Sequence, residues 1–128
     1  MNNLIIDAAR DKIFMTLIVS KNVYTCSHEN SKINFEKLII LINDFLQINK
    51  KSLDDLGAIY VNRGPGSFAG IRNSLSTIKA LFLTKKIDYY CFSFDDFEGL
   101  NNSKYEDVPK LCEQFNLKKN LINPIYLS

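Results

Sequence analysis

The residues that most invite a chemical reading stand together in one short stretch, Arg63-Gly64-Pro65-Gly66-Ser67-Phe68-Ala69-Gly70-Ile71-Arg72. Gly64 to Ala69 fits the spacing G-x-G-x-x-[GA], which in a dinucleotide-binding unit lets backbone N–H groups and a helix N-terminus hold a pyrophosphate. Three features oppose that chemistry. Such a turn should follow the opening strand, yet three strands and a helix are expected before it. Pro65 removes one backbone N–H donor. The acidic residue that would hold a ribose is also misplaced, because Asp88 begins the next strand and Asp95 lies too far beyond it. No Gly-Lys-Ser or Gly-Lys-Thr occurs in the chain, which excludes a Walker loop. The stretch therefore reads as a structural corner. Gly64 and Gly66 supply backbone angles closed to other residues, Pro65 stiffens the turn, and Ser67 is suited to cap a following helix. Arg72 is left to pair with an acid or with a partner.

Other candidate chemistry is sparse. Asp7 follows the first apolar strand, where a carboxylate could hold a metal or a phosphate-bound water, but alone it reads as a turn residue. Asp95-Asp96 could likewise attract a metal, although neighbouring acids at a strand end are usually solvated. His28 is the only histidine. Paired-histidine metal sites are thus excluded, and without a G-x-S-x-G elbow a catalytic triad has nothing to form around. Cys26, Cys91 and Cys112 are odd in number and widely spaced. They suggest reduced thiols rather than a disulfide framework or a zinc site. Neither a cofactor nor a metal is predicted.

These residues must be positioned by a modest frame. A chain of 128 residues with 46% hydrophobic and 23% charged side chains suits one globular domain. A net charge of +2, with basic residues scattered in pairs such as Lys50-Lys51, gives no electrostatic footprint for nucleic acid. The longest apolar run, Leu38 to Ile42, is far too short to span a membrane. The opening Met1-Asn2-Asn3 lacks the basic region of a secretory signal, so a soluble cytoplasmic protein is expected.

Alternation and β-branched content predict strands at Leu4–Ile6, Ile13–Val19 and Val23–Cys26, with a tight turn at Lys21-Asn22. Phe35, Leu38, Ile39, Ile42, Phe45 and Leu46 then recur at helical spacing, capped by Ser31 or Asn34 and ending near Asn49. Leu38 to Ile42 is apolar at every position, so this helix should be buried on two sides. The second side is covered either within the chain or by a partner protein. A strand at Ala58–Val61, a helix from Ala69 to Thr84 and a strand from Ile87 to Phe94 follow. Strand–helix–strand–helix order after a meander predicts an α/β fold with a mixed five-stranded sheet over residues 1–97. Residues 98–128, with Gly99, paired asparagines and Pro109, read as a linker, a short helix at Leu111–Phe115 and an extended tail.

The stretch from Asn62 to Arg72 resembles the R-G-P-G-S-F-T-G-[IVL]-R signature of the bacterial TsaB (YeaZ) family, with Ala69 in place of threonine. Leu4-Ile5-Ile6-Asp7 resembles the family's opening I-D-T strand, and Ser27-His28-Glu29 its H-S-E region. Phe92 to Phe97 resembles V-S-S-L-E-A-L, and Pro124-Ile125-Tyr126-Leu127 the P-x-Y-L ending. The resemblance implies an ASKHA (actin/hexokinase/Hsp70-like, ribonuclease H-like) lobe at 1–97, with 98–128 replacing most of a second lobe. It further implies a non-catalytic scaffold for threonylcarbamoylation of adenosine 37 in tRNA. The TsaD subunit would carry the metal and the transfer, and the ATPase TsaE would join the assembly, so that tRNA is met only indirectly. Pairing with TsaD, or of two copies, would use the first-lobe helices, with Ile40, Leu41 and Asp44 on one and Ser74, Thr77 and Leu81 on the other. Two alternatives stay open: a small nucleotide-binding ATPase using Asp7 and the glycine turn, or a homodimeric relic that pairs only with itself.

Overall fold

The computed structural model describes residues 2–100 and 103–126. The paired asparagines of the expected linker and Leu127 of the tail lie outside them. β1 (Asn2–Asp7), β2 (Lys12–Val19) and β3 (Asn22–Glu29) form the expected antiparallel meander. The β2–β3 turn falls on Ser20-Lys21 rather than Lys21-Asn22, with Ser20 at φ +56°. Asn22 is thereby freed to open β3, which continues past Cys26 to Glu29. β1 pairs parallel with β4 (Leu56–Asn62), and β4 with β5 (Asp88–Phe92), in the order β3-β2-β1-β4-β5. β5 is shorter than expected, because the Ser93 and Asp96 side chains form a capping box that turns the chain into a 3-10 turn at Phe94–Asp96.

The parallel pairings demand crossovers, and helices supply them. The single helix expected from Phe35 to Ile48 is instead two, α1 (Lys32–Glu36) and α2 (Leu38–Ile48), because Lys37 leaves the helical basin at φ −111°, ψ 25°. Ser31 caps α1 as expected, its Oγ accepting the Asn34 N–H at 3.2 Å. α3 (Phe68–Lys85) links β4 to β5. All three helices pack on one sheet face, burying Leu38, Ile42, Leu46, Ile71 and Ile78 against Leu4, Ile6, Ile59 and Val61.

The other face is covered by residues expected to be linker, short helix and tail, the helix running three residues earlier at its start than the expected Leu111–Phe115. A fourth helix, α4 (Val108–Gln114), places Val108, Leu111 and Cys112 with Phe97 over Ile5, Tyr60 and Phe92. The sheet is thus the middle of three layers, and most of the third comes from beyond residue 97. The tail then runs along β5, where the Asn120 N–H donates to the Tyr89 carbonyl at 2.7 Å and Asn120 Oδ1 accepts the Tyr89 N–H at 2.9 Å. Among the described residues, no helix is long and apolar enough to cross a membrane.

Candidate functional site

The parallel strands deliver Asp7, Asn62 and Phe92 to one end of the sheet, the end at which open α/β sheets bind ligands. The glycine turn sits there, and its glycines are occupied by protein backbone. Gly64 has φ +110°, and a Cβ on it would also overlap the Ile125 carbonyl oxygen. Gly66, expected to need a special backbone angle, shows no positive φ. Its requirement is space, since a Cβ would overlap the Ala9 carbonyl. Gly70 faces the Ala8 carbonyl in the same way. The Gly64–Pro65 peptide is cis, and Asn62 Oδ1 accepts the Gly64 N–H at 2.9 Å. The Ser67 N–H donates to the Ala9 carbonyl at 2.9 Å, while Ser67 Oγ caps α3 by accepting the Gly70 N–H at 3.2 Å. A pyrophosphate would find these approaches already taken.

Charged groups close the rest of this junction. Arg63 forks onto Asp96, at 2.6 Å from Nη2 to Oδ1 and 3.3 Å from Nε to Oδ2, and its Nη1 donates to the Asn123 carbonyl at 3.0 Å. The acid pair expected to be solvated is therefore split: Asp95 is exposed, whereas Asp96 is held by Arg63 and accepts the Ser93 N–H at 2.8 Å. Asp7 is wholly buried. Its Oδ1 accepts the Ala9 N–H at 3.0 Å, and its Oδ2 accepts the Tyr105 hydroxyl at 2.6 Å and pairs with Arg10 Nε at 3.2 Å. Burial and then the bond to Asp7 push the Tyr105 hydroxyl above its ordinary pKa. Sequence reasoning missed Tyr105, which lies in the stretch read as linker; its one signal was an aromatic in an otherwise polar segment.

The thiols offer no nucleophile at neutral pH. Burial pushes Cys26 and Cys91 up to about 11 and Cys112 up to about 12. His28 is half-buried on β3, its Nε2 4.0 Å from Cys26 Sγ. No group of three His, Cys, Asp or Glu side chains able to hold a metal occurs among the described residues.

The helical layer is different, for it presents free apolar surface. Leu38, Leu41 and Ile42 of α2 are buried, but Ile39 is 37% and Ile40 54% exposed, flanked by Ile33 and Ile48 at 69% and 78%. Nothing among the described residues covers the second side of this helix. A groove of about 470 Å³ opens between α1–α2 and α3, lined by Phe35, Ile39, Thr77, Ala80 and Thr84. The expected interface residues divide accordingly. Ile40 and Asp44 are exposed and Thr77 is half-buried at the groove, so all three reach solvent. Leu41, Ser74 and Leu81 are buried: the two leucines belong to the core, Leu81 also lining the floor of the groove, and Ser74 turns inward to donate to the Gly70 carbonyl at 2.8 Å. The run from Leu38 to Ile42, apolar at every position, hid which face was inside. Arg72 is exposed, its guanidinium 5.7 Å from the centre of the Phe68 ring.

A family model described as TsaD, tRNA N6-adenosine threonylcarbamoyltransferase, matches residues 28–94, from the end of β3 through β5 and the turn after it. The tRNA threonylcarbamoyladenosine biosynthesis protein TsaB of Buchnera aphidicola subsp. Schizaphis graminum is 31% identical over 90 residues, 70% of this chain and 43% of that protein. The chain belongs to this family, as a TsaB/YeaZ-type member. TsaB of Buchnera aphidicola subsp. Baizongia pistaciae is 32% identical over 44% of this chain and 29% of its own length. The chain thus spans less than half the length of these curated relatives. Among solved structures, YeaZ from Pseudomonas aeruginosa superposes with a TM-score of 0.65 at 20% identity, covering 72% of this chain and 43% of that one. Thermus thermophilus RuvC gives 0.53 at 10% identity over 90% and 80%. These likenesses show the fold, a mixed five-stranded α/β sheet that fits the expected ASKHA, ribonuclease H-like lobe.

Proposed function

We propose that this TsaB/YeaZ-type chain serves tRNA threonylcarbamoyladenosine biosynthesis as a non-catalytic partner, docking a TsaD-like subunit on the outer face of α1, α2 and α3. The observation that supports it best is the exposure of four isoleucines on α1 and α2, Ile33, Ile39, Ile40 and Ile48, of which Ile39 lines the groove along α3. Apolar surface of this kind on a small domain marks a protein-binding face. The names of the curated relatives supply the pathway. In this reading the carboxyl end of the sheet is a structural junction, residues 98–126 stand where relatives continue into a second lobe, and tRNA is met through the partner. The nucleotide-binding alternative is less well supported, since both Asp7 oxygens and the approaches to Gly64, Gly66 and Gly70 are occupied by the chain itself.

Co-purification with a cognate TsaD tests the proposal. Ile40→Asp should abolish the complex while leaving the circular dichroism spectrum and melting temperature of the isolated chain unchanged. Retention of full affinity in that variant, or absence of any complex with the unaltered chain, would sink it.

A further inference from the structure

The sheet face under α4 is not filled to its margin. Tyr60 of β4 and Tyr90 of β5 are register partners, and their rings stand stacked on this side at 8°, with centroids 5.0 Å apart. After α4 the chain reverses through Asn116, at φ +55°, so that the Leu117 N–H donates to the Cys112 carbonyl at 3.0 Å. Between the two rings, the end of α4 and this reversal lies a pocket of about 310 Å³.

Its floor holds an unpaired polar group. Tyr60 is only 8% exposed, yet its hydroxyl makes no hydrogen bond among the described residues. The groups that act on that hydroxyl, Cys112, Tyr90 and Glu113, all line the pocket, so the hydroxyl lies at the pocket and not behind it. Of the lining residues only Glu113 carries a formal charge, and it joins no ion pair among the described residues. Lys119, which bridges Tyr90, directs its Nζ to Asp88 Oδ2 at 3.5 Å instead. The walls therefore offer a carboxylate, hydroxyl oxygens and the Asn116 amide oxygen, with no cation of the chain to meet them.

That donor set selects among cations. A divalent metal ion asks for about six oxygens and more than one carboxylate. A quaternary ammonium needs open aromatic faces, whereas these two rings are already stacked on each other. A primary ammonium brings three N–H donors, enough for Glu113, Tyr60 and Asn116, and leaves its alkyl chain to lie on Leu117 and Pro109. We infer that the pocket between Tyr60, Tyr90 and the end of α4 binds an alkylammonium group, with Glu113 as its charge partner and the Tyr60 hydroxyl as its buried anchor. A volume of about 310 Å³ suits a small ligand, at the lower limit for such sites. The site lies on the sheet face opposite α1 to α3, so it is independent of the proposed docking face.

Titration of n-butylamine hydrochloride near neutral pH into the chain with ring-labelled tyrosine, followed by NMR, tests the inference. Of the six tyrosines, Tyr60 and Tyr90 alone should shift, and the shifts should saturate. Butyrate and 1-butanol, which keep the alkyl chain without the ammonium, should shift neither. Glu113→Gln should weaken binding about tenfold, and Tyr60→Phe, which keeps the ring and deletes the hydroxyl, about fivefold. Should Tyr60→Phe disturb the core, Glu113→Gln still decides, because Glu113 is exposed and its replacement leaves the fold intact. Glu106→Gln, at an exposed acid outside the pocket, and Ile40→Asp should both bind as the unaltered chain does. Nα-acetyl-lysine N-methylamide presents the same butylammonium on a peptide unit. Tighter binding of n-butylamine assigns the site to a free amine, and tighter binding of the lysine derivative to a lysine side chain. Shifts that never saturate, equal binding of butyrate or 1-butanol, or an affinity unmoved by Glu113→Gln would each overturn the inference.

Discussion

Gly70 leaves no room for a methyl group, since a Cβ there would run into the Ala8 carbonyl oxygen, a backbone atom that cannot swing aside. Gly70→Ala should therefore destabilise the fold by about 3 kcal/mol, at the upper end for overpacking, as measured by urea denaturation. A loss below about 0.5 kcal/mol would mean that β1 and α3 are less tightly apposed than described. Tyr105 provides a second test at this scale. Tyr105→Phe keeps the ring but leaves Asp7 Oδ2, buried and charged, with Arg10 alone, so the expected cost is about 1–2 kcal/mol. The same substitution at exposed Tyr24 should cost nothing measurable.

α2 shows how much a sequence discloses about an element. Its existence, its Ser31-capped approach and its end near Asn49 followed from apolar spacing and turn residues, and the structure agrees. Its orientation did not follow, because Leu38 to Ile42 is apolar on every face, and the inward side is decided by what the neighbouring elements bring to it. Ile40 and Leu41, adjacent in sequence, fall on opposite sides, 54% and 8% exposed. Leu41→Asp should accordingly unfold the chain, with cooperative melting lost, whereas Ile40→Asp should leave the melting curve where it was. The glycine turn was legible as a corner from Pro65 and the order of strands. Its partners Ala8, Ala9 and Ile125 were not, because close approach of distant backbone leaves no periodic trace. The third layer escaped notice for a related reason. A short helix was expected at Leu111–Phe115, and α4 (Val108–Gln114) stands there, but so few apolar residues repeat in it that their spacing did not show that it covers the sheet.

Across the whole molecule, proton linkage makes the fold sensitive to alkali rather than to acid chemistry at the thiols. Cys91 and Cys112 are pushed from 9.0 to about 11 and about 12 by burial, and Tyr60, Tyr89 and Tyr105 are raised above 10.0 for the same first cause. As pH climbs past 9.0, the unfolded chain releases thiol protons that the folded chain keeps. The folded state then binds more protons, and stability falls with rising pH through that window. Urea midpoints should be flat around neutrality and drop steadily above about pH 9, and replacing Cys112 with Ala should shallow that drop. A midpoint independent of pH up to about 11 would contradict the burial of these groups.

The bond from Arg63 to the Asn123 carbonyl spans sixty residues of chain. In translation, the family motif is therefore made long before it can be closed. A ribosome that has synthesised the whole five-stranded sheet has still not supplied Asn123, or the Ile125 N–H that donates to the Arg63 carbonyl, or the helix that covers Tyr60 and Phe92. A nonsense codon just after Phe97 would leave every signature residue in place and yet release a chain with one bare sheet face and an unclosed corner. Quality control would meet such a product as misfolded protein, and a screen that scored only the presence of the motif would count it as intact.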